Sequence, residues 1–249
     1  VSIANSILLL QGDAEARLLA DADAVLPAVL PIPDLQLVRA WATRPDLLEP
    51  SAPPPPLALR AQGVIADTDP RELLAQGHRL VIFALLPAFA APALRHRDGG
   101  VFLAHAGLRA QWSAQQSAQV AAQCTVEPPM APEAAVRALE PVIERLLDAG
   151  SAVAVCTAFR HVREPLENAE GITAAALREQ IRRCNLEVAQ LSRRTGCFVL
   201  DLDRPLAQEG GASLQADCFG GSGRAADIAL DEFAALLLDA LPDALLEIA

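Results

Sequence analysis

The stretch SILLLQGDAEARLL, residues 6–19, runs from an apolar segment through Gly12-Asp13-Ala14 into a segment with helical spacing. Four consecutive aliphatic residues, Ile7 to Leu10, predict a strand buried on both faces. Glycine and aspartate at its end suit a tight turn and a helix start. Many α/β enzymes present a nucleophile on such a strand–turn–helix unit, at the carboxyl end of the strand. Here the residue after Gly-Asp is Ala14, whose methyl group offers no chemistry.

The same alternation continues along the chain. Nearly continuous apolar runs predict strands over Ser6–Gln11, Leu35–Ala42, His78–Leu86, Ser151–Thr157 and Cys197–Leu202, with Val101–Ala104 as a short inner or edge strand. Helices are expected over Glu15–Asp23, Asp69–Gln76, Leu108–Gln123, Ala131–Ala149, Thr173–Arg194 and Ala225–Leu241. The clearest period is Leu177, Ile181, Cys184, Val188 and Leu191, stopped by Gly196. Strands alternating with helices predict a three-layer α/β/α domain over 1–249, with about five parallel strands in flavodoxin-like order. Residues 51–56, with four consecutive prolines, favour an extended backbone and are expected as a surface loop within that domain.

Composition narrows the partners. The 249 residues carry a net charge of −11, and all twenty basic positions are arginine. No basic cluster with interleaved aromatics occurs, which argues against nucleic acid and anionic membrane surfaces. The apolar runs are too short or too interrupted for a spanning helix. Five cysteines without a Cys-x-x-Cys pair suggest neither a disulfide framework nor a zinc site. With no signal-like opening segment, a cytoplasmic location is the expectation.

Ligands of an open parallel sheet gather at the carboxyl ends of its strands. That rule selects Asp13, then Arg160 and His161 after AVAVCTAF, Asp201 and Asp203 in VLDLDR, and Asp217 in the loop before the last helix. Each has a plain alternative: Asp13 as a helix cap, Arg160 as a partner of a strand-end aspartate, His161 as a solvated loop residue. Asp13 as base or nucleophile beside His161 or Arg160 is a second reading. A divalent cation among Asp13, Asp201, Asp203 and Asp217 is a third. The pattern itself calls for no metal or cofactor.

Together these segments resemble the SGNH/GDSL hydrolases over nearly the whole chain. ILLLQGDAEARLLA (7–20) resembles the family's first block, where a Gly-Asp-Ser turn supplies the nucleophilic serine. LRAQGVIADT (59–68) is similar to the second, which implies an oxyanion-binding amide at Gly63. RRCNLEVAQLSRRTGCFVLDLDRPLA (182–207) resembles the late helix and strand. ADCFGGSGRAADIALDEFAALLLDAL (216–241) sits where the family has an Asp-x-x-His loop and closing helix.

The departures from that pattern bear on chemistry. Ala14 stands at the serine position, and Gly220 stands at the histidine position three residues after Asp217. FALLPAFAAP (83–92) replaces the third block, normally Gly-x-Asn-Asp, and holds no asparagine. Nucleophile, base and one oxyanion donor are absent together, so hydrolysis by the family's usual route is not expected. The resemblance then implies a non-catalytic binding protein for an acyl- or sugar-bearing small molecule or a partner protein. Two alternatives stand beside it: an esterase or acyltransferase with a relocated constellation, and a subunit of a larger assembly. The last predicts an exposed apolar patch on residues 233–248.

Overall fold

Ile7 through Leu10 are at most 1% exposed, because their strand, β1 (Ala4–Gln11), has a parallel neighbour on each side. The structure, a computed structural model, describes residues 4–30, 32–65, 68–104, 106–160, 173–210 and 223–242. After β1 come helices α1 (Asp13–Leu18) and α2 (Ala22–Val29), strand β2 (Gln36–Trp41), α3 (Leu57–Ala61) and α4 (Pro70–Gln76). Next are β3 (His78–Ala84), α5 (Leu86–Ala90), β4 (Ala93–His96), β5 (Val101–Leu103), α6 (Ala106–Arg109), α7 (Ala114–Gln123) and β6 (Cys124–Glu127). The chain continues with α8 (Pro132–Asp148), β7 (Ala152–Cys156), α9 (Ala174–Thr195), β8 (Phe198–Leu200), α10 (Asp203–Gln208) and α11 (Gly223–Ala240).

The main sheet has five parallel strands in the order β2-β1-β3-β7-β8. That is the flavodoxin-like order, with its switch point between β1 and β3. Side chains alternate across it, as the strand period of two requires. Leu8, Leu10, Val81, Phe83, Val153 and Val155 meet α8 and α9 on one face. Ile7, Leu9, Leu80, Ile82 and Ala154 meet α1, α2, α10 and α11 on the other. The result is the expected α/β/α layering.

The structure departs from the sequence expectations in three places. The helix expected over Glu15–Asp23 is broken at residues 19–21, where Ala22 N–H donates to Leu19 O and Ala24 N–H to Asp21 O. The break lets both Leu18–Leu19 and Ala22–Leu26 reach one apolar cluster. The helix expected over Leu108–Gln123 also splits, because Ser113 and Gln116 exchange reciprocal capping hydrogen bonds at the start of α7. Val101–Leu103 lies outside the main sheet, as an edge of a three-stranded antiparallel sheet, β5-β4-β6. Glu127 ties that sheet to the end of β2, accepting from Arg44 Nη1 at 2.8 Å and from Arg95 Nε.

Two further expectations meet the fold. Pro54 and Pro56 pack on the Gly100 turn so closely that a Cβ on Gly100 would lie 2.8 Å from Pro54 O. In α11, Phe233, Leu236 and Leu237 are buried, and Leu238 is the exposed large hydrophobic among the described residues of 223–242. This part of the expected apolar patch therefore belongs to the core, and residues 243–248 lie outside the described residues. Among the described residues, no helix is long and apolar enough to cross a membrane.

At the amino ends of β1 and β3, His78 is 1% exposed, with Nε2 donating to Leu73 O and Nδ1 accepting from the Ser6 hydroxyl, both at 2.8 Å. Burial lowers its pKa from the ordinary value, against the opposing effect of the Leu73 carbonyl. A depressed folded pKa means that the unfolded chain binds the proton more readily. Stability from this group is complete above the unfolded value of about 6.5 and is lost as pH falls through the folded one. Urea midpoints measured from pH 7.5 to 5 should fall, and His78→Gln should flatten the slope over that range. An equal slope in the variant would assign the effect to other groups.

Candidate functional site

The turn after β1 is built around Glu15. Its carboxylate is buried at 1% exposure and accepts the Gly12 N–H at 3.0 Å. This is half of a capping box, with the helix's third residue reaching back to the cap amide. Gly12 is required sterically, because a Cβ there would lie 2.5 Å from Pro87 Cγ and 2.9 Å from Glu15 Oε2. Pro87 belongs to α5, whose five residues are all buried. Thus an apolar helix covers the turn from the end of β3, in the stretch where the resemblance has its third block. Ala14, 6% exposed, joins the same cluster as Leu86 and Phe89.

Beneath this turn, Cys156 ends β7 and is 3% exposed. Burial, reinforced by the Glu15 charge, pushes its thiol well above the usual range. It is therefore a packed thiol and not a nucleophilic thiolate.

A second cluster forms where β7 and β8 end. Thr157 Oγ1 donates to Asp201 Oδ1 at 3.0 Å and accepts the Leu202 and Asp203 amides at 2.9 and 3.1 Å. Asp203 accepts the Arg160 N–H at 3.0 Å and lies 3.4 Å from Arg160 Nε. Asp201 accepts the Arg204 amide at 3.2 Å and pairs with its side chain. Asn185 of α9 brackets Ala158, accepting its N–H at 3.0 Å and donating to its carbonyl at 2.8 Å. Glu232 of α11 faces this group; burial raises its pKa, opposed by Arg204 and helped by Asp201 and Asp231.

The structure thus brings Arg160, Asp201 and Asp203 together at adjacent strand ends, each with an intramolecular partner. Asp13 contributes the first backbone unit of α1; its side chain, His161, Asp217 and Gly220 lie outside the described residues. Gly63 is exposed beyond the end of α3 with φ +66, and its N–H donates to Arg60 O at 2.9 Å. Among the described residues, no group of three or more His, Cys, Asp and Glu is gathered to hold a metal. Thr157 lies outside the stretches that carry the resemblance, whereas Glu15, Asn185 and Glu232 lie within them; the contacts that single them out, Glu15 on the Gly12 amide and Asn185 on both sides of Ala158, exist only in the fold.

Beside the turn, on the β2 side of the strand ends, lies a cavity of about 430 Å³. Its walls come from β1 and β2 (Gln11, Trp41, Ala42), the proline loop (Pro53, Pro55), α3 and α4 (Arg60, Leu73) and the small sheet (Phe102, Leu103). Three charged neighbours are internally paired there. Arg71 holds Asp69 through Nε and Nη2, and Arg39 reaches Asp23 and Leu19 O. Burial alone would raise Asp69, but hydrogen bonds from Arg71 and the charge of Arg60 outweigh it and hold the carboxyl below its ordinary value. The size falls in the range of small-molecule pockets, and the lining is mostly apolar with a few polar groups.

No family model matches the sequence, and no curated protein matches it. Solved structures do match the fold. LAE5, an α/β hydrolase from the metagenome of Lake Arreo, superposes with a TM-score of 0.54 at 12% identity, covering 96% of each chain. A catalytic mutant of Axe2, an acetylxylan esterase from Geobacillus stearothermophilus, gives 0.53 at 12% identity, over 97% of this chain and 95% of that one. A lipase/acylhydrolase from Enterococcus faecalis gives 0.52 at 14% identity, over 93% and 94%. Identities this low speak to architecture and not to activity. The architecture of the chain is an SGNH/GDSL-hydrolase-like fold, with alanine following the Gly-Asp turn at the end of its first strand.

Proposed function

We propose that this protein binds an acyl- or sugar-bearing small molecule at the strand ends without serine hydrolysis. The carrying observation is Ala14, a methyl group buried beneath an apolar helix at the position the resemblance gives to the nucleophile. A serine hydrolase needs a hydroxyl there, within reach of a base and facing a polar hole. In its place the turn is closed by Pro87 and Phe89, while an open cavity lies immediately to one side. The ligand class follows from the likeness to an acetylxylan esterase and a lipase/acylhydrolase.

The direct test is turnover of p-nitrophenyl acetate by the purified protein. No rate above buffer is expected, and Ala14→Ser should not create one, because Gly220 stands at the position the resemblance gives to the base and α5 carries no asparagine as oxyanion donor. Robust turnover that Asp13→Asn abolishes would instead establish a relocated catalytic constellation.

A further inference from the structure

The cavity beside the strand ends follows from how one row of the main sheet is filled. Ala40, Leu10, Phe83 and Val155 stand side by side across β2, β1, β3 and β7. Leu10, Phe83 and Val155 are at most 3% exposed in the core cluster. At the edge strand the row ends on Ala40, which is half-buried, packs against the same cluster as Leu73 of α4, and lines the cavity. Ala42, the next residue on that face, is equally short and lines it too. Two methyl groups thus stand where longer side chains would take up the space toward α4 and the small sheet.

The charged groups of the lining are matched within the protein. Arg39 pairs with Asp23 at 2.9 Å and donates to Gln11 Oε1 at 3.2 Å. Arg71 holds both oxygens of Asp69, and Arg60 Nη1 lies 3.6 Å from Glu72. A charged ligand would leave water and meet charges that are already neutralised, which is costly. For an anion, the chain's net charge of −11 adds repulsion. A sugar carries a hydroxyl on nearly every carbon, and each one buried needs a partner. Trp41, Ile65, Phe102, Leu103 and Leu108 instead offer apolar surface. The volume of about 430 Å³ equals that of about fourteen waters, at about 30 Å³ each.

We infer that the cavity receives an uncharged acyl chain of about eight carbons, with Ala40 setting how long a chain it admits. This rests on the binding reading above and deepens it, choosing the acyl chain over the sugar and naming the residue that limits its length. It requires no bond to form or break.

Octanamide, an uncharged acyl chain with no ester to cleave, is the probe. It is titrated calorimetrically into the intact protein and followed by tryptophan fluorescence, since Trp41 lines the cavity. Saturable one-to-one binding is expected, about fifteenfold tighter than hexanamide, because each buried methylene contributes about fourfold. Octanoate should bind more than about tenfold weaker than octanamide. Methyl xyloside, uncharged and of similar size, should show no saturable binding over the same concentrations. In Ala40→Leu the advantage of octanamide over hexanamide should vanish, with no fall in the urea midpoint, because the added carbons enter existing space. The wild-type comparisons decide the matter even if Ala40→Leu fails to fold. Absence of saturable octanamide binding, octanoate bound equally well, or an undiminished chain-length advantage in a folded Ala40→Leu protein would overturn the inference. Methyl xyloside bound as tightly as octanamide would also overturn it, while leaving the binding reading in place. Turnover of p-nitrophenyl acetate, by contrast, would remove the non-catalytic reading and leave chain recognition standing, so the two failures are distinguishable.

Discussion

Replacing Phe89 by alanine should lower the free energy of unfolding by about 3–5 kcal/mol, measured by urea denaturation. Phe89 is fully buried and sits in the cluster that joins α5 to Ala14, Leu10, Phe83 and the helices α8 and α9. Truncation removes the transfer energy of a whole ring and leaves a cavity, and the neighbours cannot collapse freely. On one side the space is bounded by the sheet; on the other, α8 and α9 are held by their own packing. The measurement also bears on the functional reading. If α5 is a structural plug, its loss is felt as instability. A loss below about 1 kcal/mol would mean that α5 is loosely seated and that the strand ends can open.

Gly12→Ala is the second large effect, expected to cost about 1–3 kcal/mol. Its backbone, with φ −96 and ψ −173, is open to any residue, so the penalty is not conformational. It comes from crowding: the new methyl would meet Pro87 Cγ at 2.5 Å, and a proline ring cannot rotate away. The methyl would also press on the Glu15 carboxylate that holds the Gly12 amide. Relief requires moving α5 or the turn, and either motion disturbs the Ala14 floor. An unchanged denaturation midpoint would show that α5 shifts without resistance.

Much of this architecture was legible in the chain. The β1 run, the repeat of Leu177 to Leu191 and the glycine stop at Gly196 all state their roles locally, because buried strands and amphipathic helices are defined by period. Gly196 takes φ +77, a left-handed conformation that suits glycine at a helix end. The small sheet was hidden because its strands are only three or four residues long and pair across 27 or more residues of sequence in the case of β4 with β6. No local pattern carries such pairing. Ser113 and Gln116 did carry a capping signal, overridden in the reading by the alanine-rich run around them.

The candidate site divides in the same way. Asp201 and Asp203 follow directly on β8, whose pairing with β7 accords with the alternation of elements. Their commitment to Arg160, Arg204 and Thr157 depends on side-chain directions that spacing does not encode. Arg60 lies within a stretch that carries the resemblance, but its place in the cavity wall exists only once α3 packs beside the small sheet.

The Pro87–Gly12 contact has a consequence for how this chain can change. Enzyme sites commonly conflict with folding, because polar groups held in place for chemistry weaken the region that holds them. Here α5 and Ala14 are packed like the interior, so folding itself opposes the placement of further polar groups among them. A serine introduced at position 14 would enter an apolar cluster, and an asparagine in α5 would forfeit contacts that Leu86, Pro87 and Phe89 now share. Each of these substitutions alone is expected to lower stability. The packing leaves the neighbouring cavity as the part of the strand-end face where side chains can change without disturbing the core.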